Sequence, residues 1–443
     1  MNNPGTLAIE RWLHALSTCP ASDTGGHRVL FILDNDFGEL TTVLYLVLGQ
    51  PCFHNTRVLA SPRLHATNED ALPGRVSLWK TEKDIFEVFG TYRPQVIVLA
   101  SGYLLPVHRL LTVQGIERIR DYAEREGALL ITTDPFLGLI SEAAGRPLDD
   151  LISIDIPKTA NATLIAGRDM GNRLLRTGLA EAERVLRSVP HLYPAPTDRD
   201  GIPTSGAGCR NLAFFNEALV LPAEMLRKPS PGDAPADSGD ARPCWMFVIA
   251  LADYQTQCMF EGPEGFAQIV ADRIADAVRL GRRAILLGPD ELIQALSPIL
   301  PALDDIVLLR FCSFTRAMSL LLSAEYCFYW NLVSHSIIMQ LWNGRPVILL
   351  DGGHLARAMP AIRERIVAWY YQGCEPTCLD HKAGLSLPVL REAVSRYEQA
   401  PHSVIARYRR APSPAALLDS LLHAGARPVD SSPPEASSAN NAG

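Results

Sequence analysis

The chain has 443 residues, 47% of them hydrophobic and 20% charged, with a formal net charge of −7 at pH 7. That length predicts two or three domains with ample core, and the composition is that of an ordinary globular protein. The acidic balance argues against a nucleic-acid partner, since the densest basic run, Arg407-Tyr408-Arg409-Arg410, is short. Nine scattered cysteines (19, 52, 209, 244, 258, 312, 327, 374 and 378) fit reduced cytoplasmic thiols better than a disulfide framework. Residues 1–30 lack a basic start followed by an apolar core, so no signal peptide is expected. The most apolar window, residues 319–342, is broken by Glu325, Asn331 and His335. It reads as strand, turn and helix rather than as a membrane span.

In chain order, a helical pattern over 9–16 precedes a loose Ser/Thr/Gly stretch, and residues 1–26 read as an N-terminal extension. Residues 28–34 form a buried strand that ends in Asn35-Asp36-Phe37-Gly38, followed by a helix over 39–48. This is the opening strand-turn-helix of a Rossmann-like domain. It lacks Gly-x-Gly-x-x-Gly, so no nicotinamide or flavin dinucleotide is indicated and no cofactor is expected. Short strands follow at 57–60 and 76–79, then a helix at 83–89. The strand 95–100 ends in Ser101-Gly102-Tyr103, and after a helix at 115–126 the strand 128–133 ends in Asp134-Pro135. Such alternation predicts a mainly parallel sheet. A helix at 180–189 leads into a stretch at 193–208 rich in Pro, Gly and polar residues. The first domain is expected over 27–215, with a linker or insertion over 216–243 whose core, 228–243, is dominated by Pro, Gly and Asp.

A fresh α/β pattern begins at 244. Strands are expected at 245–251, 284–287 and 306–311, and helices at 266–280, 290–296 and 314–323. The aromatic strand 325–331 is followed by Ser334-His335-Ser336 and a helix over 337–343 closed by Gly344. A second strand, 345–351, ends in Gly352-Gly353-His354, before an amphipathic helix over 358–371. Two parallel strands flanking a helix make a βαβ unit. Ser334 or Ser336 caps its helix, and ligands of open α/β sheets bind at the carboxyl ends of strands. This second domain is expected over 244–385, with terminal helices at 387–397 and 415–422 and a disordered polar tail over 426–443.

The stretch from Leu320 to Gly373 resembles the carboxy-terminal half of GT-B glycosyltransferases, including those that build the peptidoglycan precursor. The features that carry it are Ser336, Gly344-Arg345-Pro346, the strand 347–350 and the turn Gly352-Gly353-His354. The resemblance implies two Rossmann-like domains facing each other across a cleft, and a bacterial-type, cytoplasmic transferase. It further implies a nucleotide-sugar donor as substrate, an acceptor that the residues do not name, and catalysis without a bound metal. Family members place a donor-ribose Glu five residues before that Gly, where this chain has Met339 beside Gln340. Two alternatives stay open: a nucleotide-sugar epimerase of the same architecture, and a transferase-like protein that only binds.

An inverting transferase needs a base for the acceptor hydroxyl and compensation of donor phosphate charge. The resemblance puts the base on the loop after the first strand, among Asp34, Asp36 and Glu39. Asp36 is preferred and Asp134 is the second candidate, while capping or turn roles are the plain alternatives. On the donor side stand Ser334, His335, Ser336, Gly352, Gly353, His354 and Arg316. Here His335 is either a phosphate contact or a structural hydrogen-bonding residue, and Arg316 offsets phosphate or simply forms an ion pair. Ser101, Gly102 and Tyr103 are assigned to the acceptor side. Cys374, Cys378 and His381 lack an obvious fourth ligand, so no metal site is expected.

Overall fold

The computed structural model describes residues 4–18, 26–33, 37–62, 64–65, 71–133, 177–196, 211–226, 242–301, 305–310, 312–353, 360–398 and 401–425. The cores of the expected linker and of the polar tail lie outside these residues, as does most of the stretch 193–208.

The first sheet contains β1 (Val29–Leu33), β2 (Thr56–Ala60), β3 (Val76–Leu78), β4 (Val96–Ala100), β5 (Leu129–Thr132), β6 (His191–Tyr193) and β7 (Asn211–Ala213). The strands pair in parallel in the order β3-β2-β1-β4-β5-β6-β7. Every residue of β1 and β4 is buried, which is why both read as unbroken apolar runs: helices cover both faces of a parallel sheet. Helix α1 (Pro4–Ser17) precedes β1, and α2 (Phe37–Val47) follows it. Helix α3 (Glu82–Tyr92) opens on a capping box between Thr81 and Asp84, and α4 (Val113–Glu126) is capped by Thr112 and closed by Gly127 at φ +65°.

The second sheet repeats the winding. Its strands are β8 (Cys244–Val248), β9 (Arg283–Leu287), β10 (Ile306–Leu309), β11 (Tyr326–Tyr329), β12 (Val347–Leu349) and β13 (Thr377–Cys378), in the parallel order β10-β9-β8-β11-β12-β13. Counted from its own first strand, this is 3-2-1-4-5-6, the order of the first six strands of the other sheet. Helices α5 (Leu251–Glu261), α6 (Pro263–Arg279) and α7 (Asp290–Leu296) carry the apolar cluster on one face, around Trp245, Phe247, Phe266 and Phe328. Helices α8 (Phe314–Ser323) and α9 (His335–Trp342) cover the other.

Helix α5 corrects the sequence reading, which ran the first strand to residue 251 and left 252–265 unassigned. Its buried face carries Asp253, Thr256 and Gln257 beside Tyr254, so no apolar stripe marks it. Gly262, at φ +74°, breaks the chain between α5 and α6, and Pro263 opens the next helix.

The α8/α9 layer joins the two halves. One apolar cluster runs from the first sheet through Tyr45, Phe214, Met318, Trp342 and Trp369. Beyond β13, α10 (Pro360–Trp369) having preceded it, come α11 (Leu387–Glu398), α12 (Pro401–Tyr408) and α13 (Pro414–Gly425). Helix α12 was not expected. It packs on α9, and Tyr408 donates to the Tyr370 carbonyl at 2.8 Å. The chain then returns to the first half, where the Phe215 amide donates to the Pro412 carbonyl at 3.1 Å and α13 packs near β5. Among the described residues no helix is long and apolar enough to cross a membrane.

Candidate functional site

In an open parallel sheet the helices on either side of the switch point leave in opposite directions, and a crevice opens at the carboxyl ends of the two central strands. Here the switch points lie between β1 and β4 and between β8 and β11. Between them the halves meet where α2 touches α9.

At the first switch point, Ser101 takes φ +52°, left-handed for a residue with a Cβ. Its amide donates to Thr133 Oγ1 at 2.6 Å, and that hydroxyl donates in turn to Glu39 Oε2 at 2.9 Å. Glu39, in the first turn of α2, is only 6% exposed. Tyr370, just beyond α10, lies beside it. Burial chiefly, and then the Glu39 charge, pushes the Tyr370 phenol up. The Ser101 hydroxyl is buried and has no partner among the described residues. A Cβ at Gly102 would lie 2.5 Å from Thr132 Oγ1, so the chain turns there only as glycine. Tyr103 points elsewhere: it is fully buried, and its hydroxyl bonds His191 Nε2 at 2.7 Å. Burial lowers that imidazole to about 4. Tyr103 therefore belongs to the core, where a ring of that size is retained by packing, and not to a surface facing an acceptor.

At the second switch point, Asn331 Nδ2 donates to Asp253 Oδ2 across the gap between β11 and α5, both residues being buried. Among the described residues, Gln257, one turn along α5, is fully buried with neither amide atom hydrogen-bonded, and Asn331 Oδ1 also lacks a partner. Helix α5 begins at Ala250, which supplies no side-chain cap, so its first N–H groups face the crevice unclaimed by a cap. Next door, the Ser334 hydroxyl accepts from the Ser336 amide at 3.3 Å and lies 2.7 Å from the Ser336 hydroxyl. The turn after β12 packs directly on it. Leu332 N donates to the Gly352 carbonyl at 3.3 Å, and Gly353 N to Asp351 Oδ1 at 2.7 Å. Gly353, at φ +74°, approaches so closely that a Cβ there would sit 2.6 Å from Asn331 Cα. The structure thus brings Ser334, Ser336, Gly352 and Gly353 together at one edge.

His335 closes the distance between the halves. Its Nε2 is 2.6 Å from Thr42 Oγ1 of α2, and Tyr45 donates to its carbonyl at 2.5 Å. Desolvation lowers the imidazole to about 4, so it is neutral at pH 7 and brings no positive charge to a phosphate. Of the two roles left open for His335, the geometry is that of the hydrogen-bonding residue. Arg316 is likewise engaged, pairing with Glu10 of α1 at 2.6 Å. Met339 is fully buried, and Gln340 donates to the Leu321 carbonyl at 3.1 Å, so neither replaces a ribose-binding carboxylate. Asp34, Asp36, Asp134 and His354 lie outside the described residues. Cys374 is half-buried, Cys378 exposed, and His381 lies 3.8 Å from Glu261.

Asp253 and Gln257 escaped the sequence reading because the helix that carries them did. Their signal is two polar residues four apart within an otherwise apolar window, which matches one helix face.

Two parallel sheets wound alike, their carboxyl edges turned toward a shared contact and the chain's last helix returning to the first half, are the GT-B fold. Among solved structures, spinosyn forosaminyltransferase SpnP matches with a TM-score of 0.50 at 13% identity, covering 91% of this chain and 100% of that one. Phytolacca americana UGT2, complexed with UDP-2fluoro-glucose and pterostilbene, matches with a TM-score of 0.50 at 10% identity, covering 90% of this chain and 100% of that one. At these identities the likeness establishes the fold. No protein-family profile matches the chain, and no curated protein sequence does.

Proposed function

We propose that the chain is a glycosyltransferase that moves a sugar from a nucleotide-activated donor to an acceptor hydroxyl. The feature that supports this reading is the opposite chemistry found at the two switch points. The first domain contributes a buried carboxylate, Glu39, on the loop-proximal turn of α2. The second contributes uncapped or lightly capped helix starts at Ala250 and Ser334 and a glycine turn at 352–353. Helix starts stabilise an anionic diphosphate, and glycines let backbone approach a sugar. A carboxylate of the first domain takes the acceptor's hydroxyl proton as its oxygen bonds the sugar's anomeric carbon, while the bond from that carbon to the donor phosphate breaks and the nucleoside diphosphate leaves.

In this reading Asp36 is the base. Glu39, three residues on and held by Thr133, fixes the start of α2, with Asp134 as the second carboxylate at that edge. Ser101 and Gly102 line the acceptor side. Ser334, Ser336, Gly352, Gly353 and His354 hold the donor, and no resident metal takes part. The setting is bacterial and cytoplasmic. SpnP is a forosaminyltransferase, and the UGT2 complex holds UDP-2fluoro-glucose with pterostilbene. Both support the reaction class.

The buried Met339 and engaged Gln340 favour a second reading, a protein of this fold that does not bind a nucleotide ribose. One experiment separates the two. Melting temperature is measured against a panel of nucleoside diphosphates and nucleotide-sugars, followed by donor hydrolysis for those that bind. Binding to the native state raises the melting temperature. A rise with one nucleotide class plus sugar release supports the transferase, whereas no rise across the panel leaves the binding-only reading.

A further inference from the structure

Away from the switch points, a pocket opens between the second sheet and the antiparallel pair α1/α8, from the amino ends of β8 and β9 along β10. Thr6 donates to Ser323 Oγ at 2.9 Å and Glu10 pairs with Arg316, so the N-terminal half of α1 lies along α8. The other end of α1 is tied to the first domain, where the Gly49 amide donates to the Leu16 carbonyl at 3.1 Å and Arg75 Nη2 to the Ser17 carbonyl at 2.7 Å. Helix α1 thus straps the two halves, and the pocket sits under its N-terminal half.

Three guanidinium groups line this pocket, those of Arg242, Arg283 and Arg316, with the hydroxyls of Thr6 and Ser323 at its rim. Its floor is apolar, from Ile285, Val307 and Leu309. Arg242 is paired with Asp305 and Arg316 with Glu10. Arg283 has no carboxylate partner among the described residues, and its Nε is buried without a hydrogen bond. Near it the Cys244 thiol is pushed up to about 12 by burial, so it stays uncharged at pH 7 and does not balance that cation. A half-buried guanidinium with unspent donors, flanked by two others and two hydroxyls, is the arrangement that binds oxyanions through bidentate hydrogen bonds.

We infer that this pocket is a second binding site, for a small oxyanion held by Arg283, lined by none of the residues assigned to the donor turns at 334–336 and 352–353. The bound group is a phosphate or a carboxylate. The apolar floor suits a carboxylate with a short hydrocarbon body. Because α1 and α8 both line the pocket, occupancy would also tighten the hold of α1 on the second domain.

The test is isothermal titration of the full chain with inorganic phosphate and, separately, with butyrate. Wild-type protein is compared with Arg283→Gln and Arg242→Gln, each checked for native circular dichroism. The expected result is saturable binding of at least one of the two anions, tenfold or more weaker in Arg283→Gln. A smaller loss is expected in Arg242→Gln, whose side chain is more exposed. Should Arg283→Gln fail to fold, the loss in Arg242→Gln alone decides. Tighter phosphate binding marks a phosphoryl ligand, and tighter butyrate binding a carboxylate with an apolar body. The proposal is overturned if neither anion saturates, or if affinity is unchanged in the folded variants. Binding that persists in them and is displaced by a nucleoside diphosphate would place the anion in the crevice instead. None of these outcomes depends on whether the chain transfers sugar.

Discussion

At the switch point of the first sheet stands a buried carboxylate, Glu39, held through Thr133 to the strained backbone of Ser101. At that of the second sheet stand helix starts, a glycine pressed against the neighbouring turn, and a buried Asp253–Asn331 pair. The first six strands follow the same order in both. The contrast teaches that winding fixes where a crevice lies, and that the residues in the first turn after each central strand decide its sign. On the proposed reading, the first domain takes the acceptor proton and the second receives the donor's anion.

The sharpest way to break this division is to remove the proposed base. Asp36→Asn is expected to lower turnover per folded molecule by about a hundred- to ten-thousand-fold. Donor affinity should stay nearly intact, because the base acts on the acceptor proton in the chemical step. His354→Ala, on the other side, should weaken donor binding instead. Steady-state kinetics with a donor titration reads both, and near-normal turnover in Asp36→Asn would shift the search to Asp134 and Glu39.

Acid tests how the halves are held together. His191 and His335 are each lowered by burial from 6.5 to about 4. In the unfolded chain they take up a proton near pH 6.5, and in the native state only near pH 4. The unfolded state therefore binds more protons in that window, and stability must fall as pH drops from 6.5 toward 4. The loss is on the order of a few kcal/mol per histidine when complete. His335→Gln should flatten the dependence of melting temperature on pH in that range. An unchanged slope would mean that His335 is open to water and does not join the halves.

Gly353→Ala sharpens the second side of the comparison. The added methyl meets Asn331 Cβ at 2.5 Å and the Trp330 carbonyl at 2.7 Å, in a left-handed backbone. The expected cost is about 1–3 kcal/mol, from strain at a special φ/ψ, read as a fall in melting temperature. A variant as stable as wild type would show that the two turns do not touch in solution.

The smallest effect, and the only stabilising one, is expected at Ser101. It holds φ +52° with a buried hydroxyl lacking a partner. Ser101→Gly should relieve about 1 kcal/mol of strain. A higher melting temperature with reduced turnover would mark Ser101 as a residue kept for the acceptor, while a higher one at full turnover would make it a plain turn residue.

Much of this was legible in the chain. Unbroken apolar runs such as Val29–Leu33 and Val96–Ala100, separated by periodic helices, read directly as buried parallel strands because local burial writes itself into composition. Three-residue strands such as His191–Tyr193 and Asn211–Ala213 are too short to carry such a pattern, and α5 hid behind its own buried polar face. The site residues divide the same way. Ser334, Ser336, Gly352 and Gly353 announced themselves as cap and turn chemistry, which depends on nearest neighbours along the chain. What Tyr103, His335 and Arg316 do was settled by His191, Thr42 and Glu10, residues 88, 293 and 306 positions away. A side chain's identity states which bonds it can make. Only the packing of distant segments decides which partner arrives, and with it whether a histidine carries charge or an arginine is already spoken for.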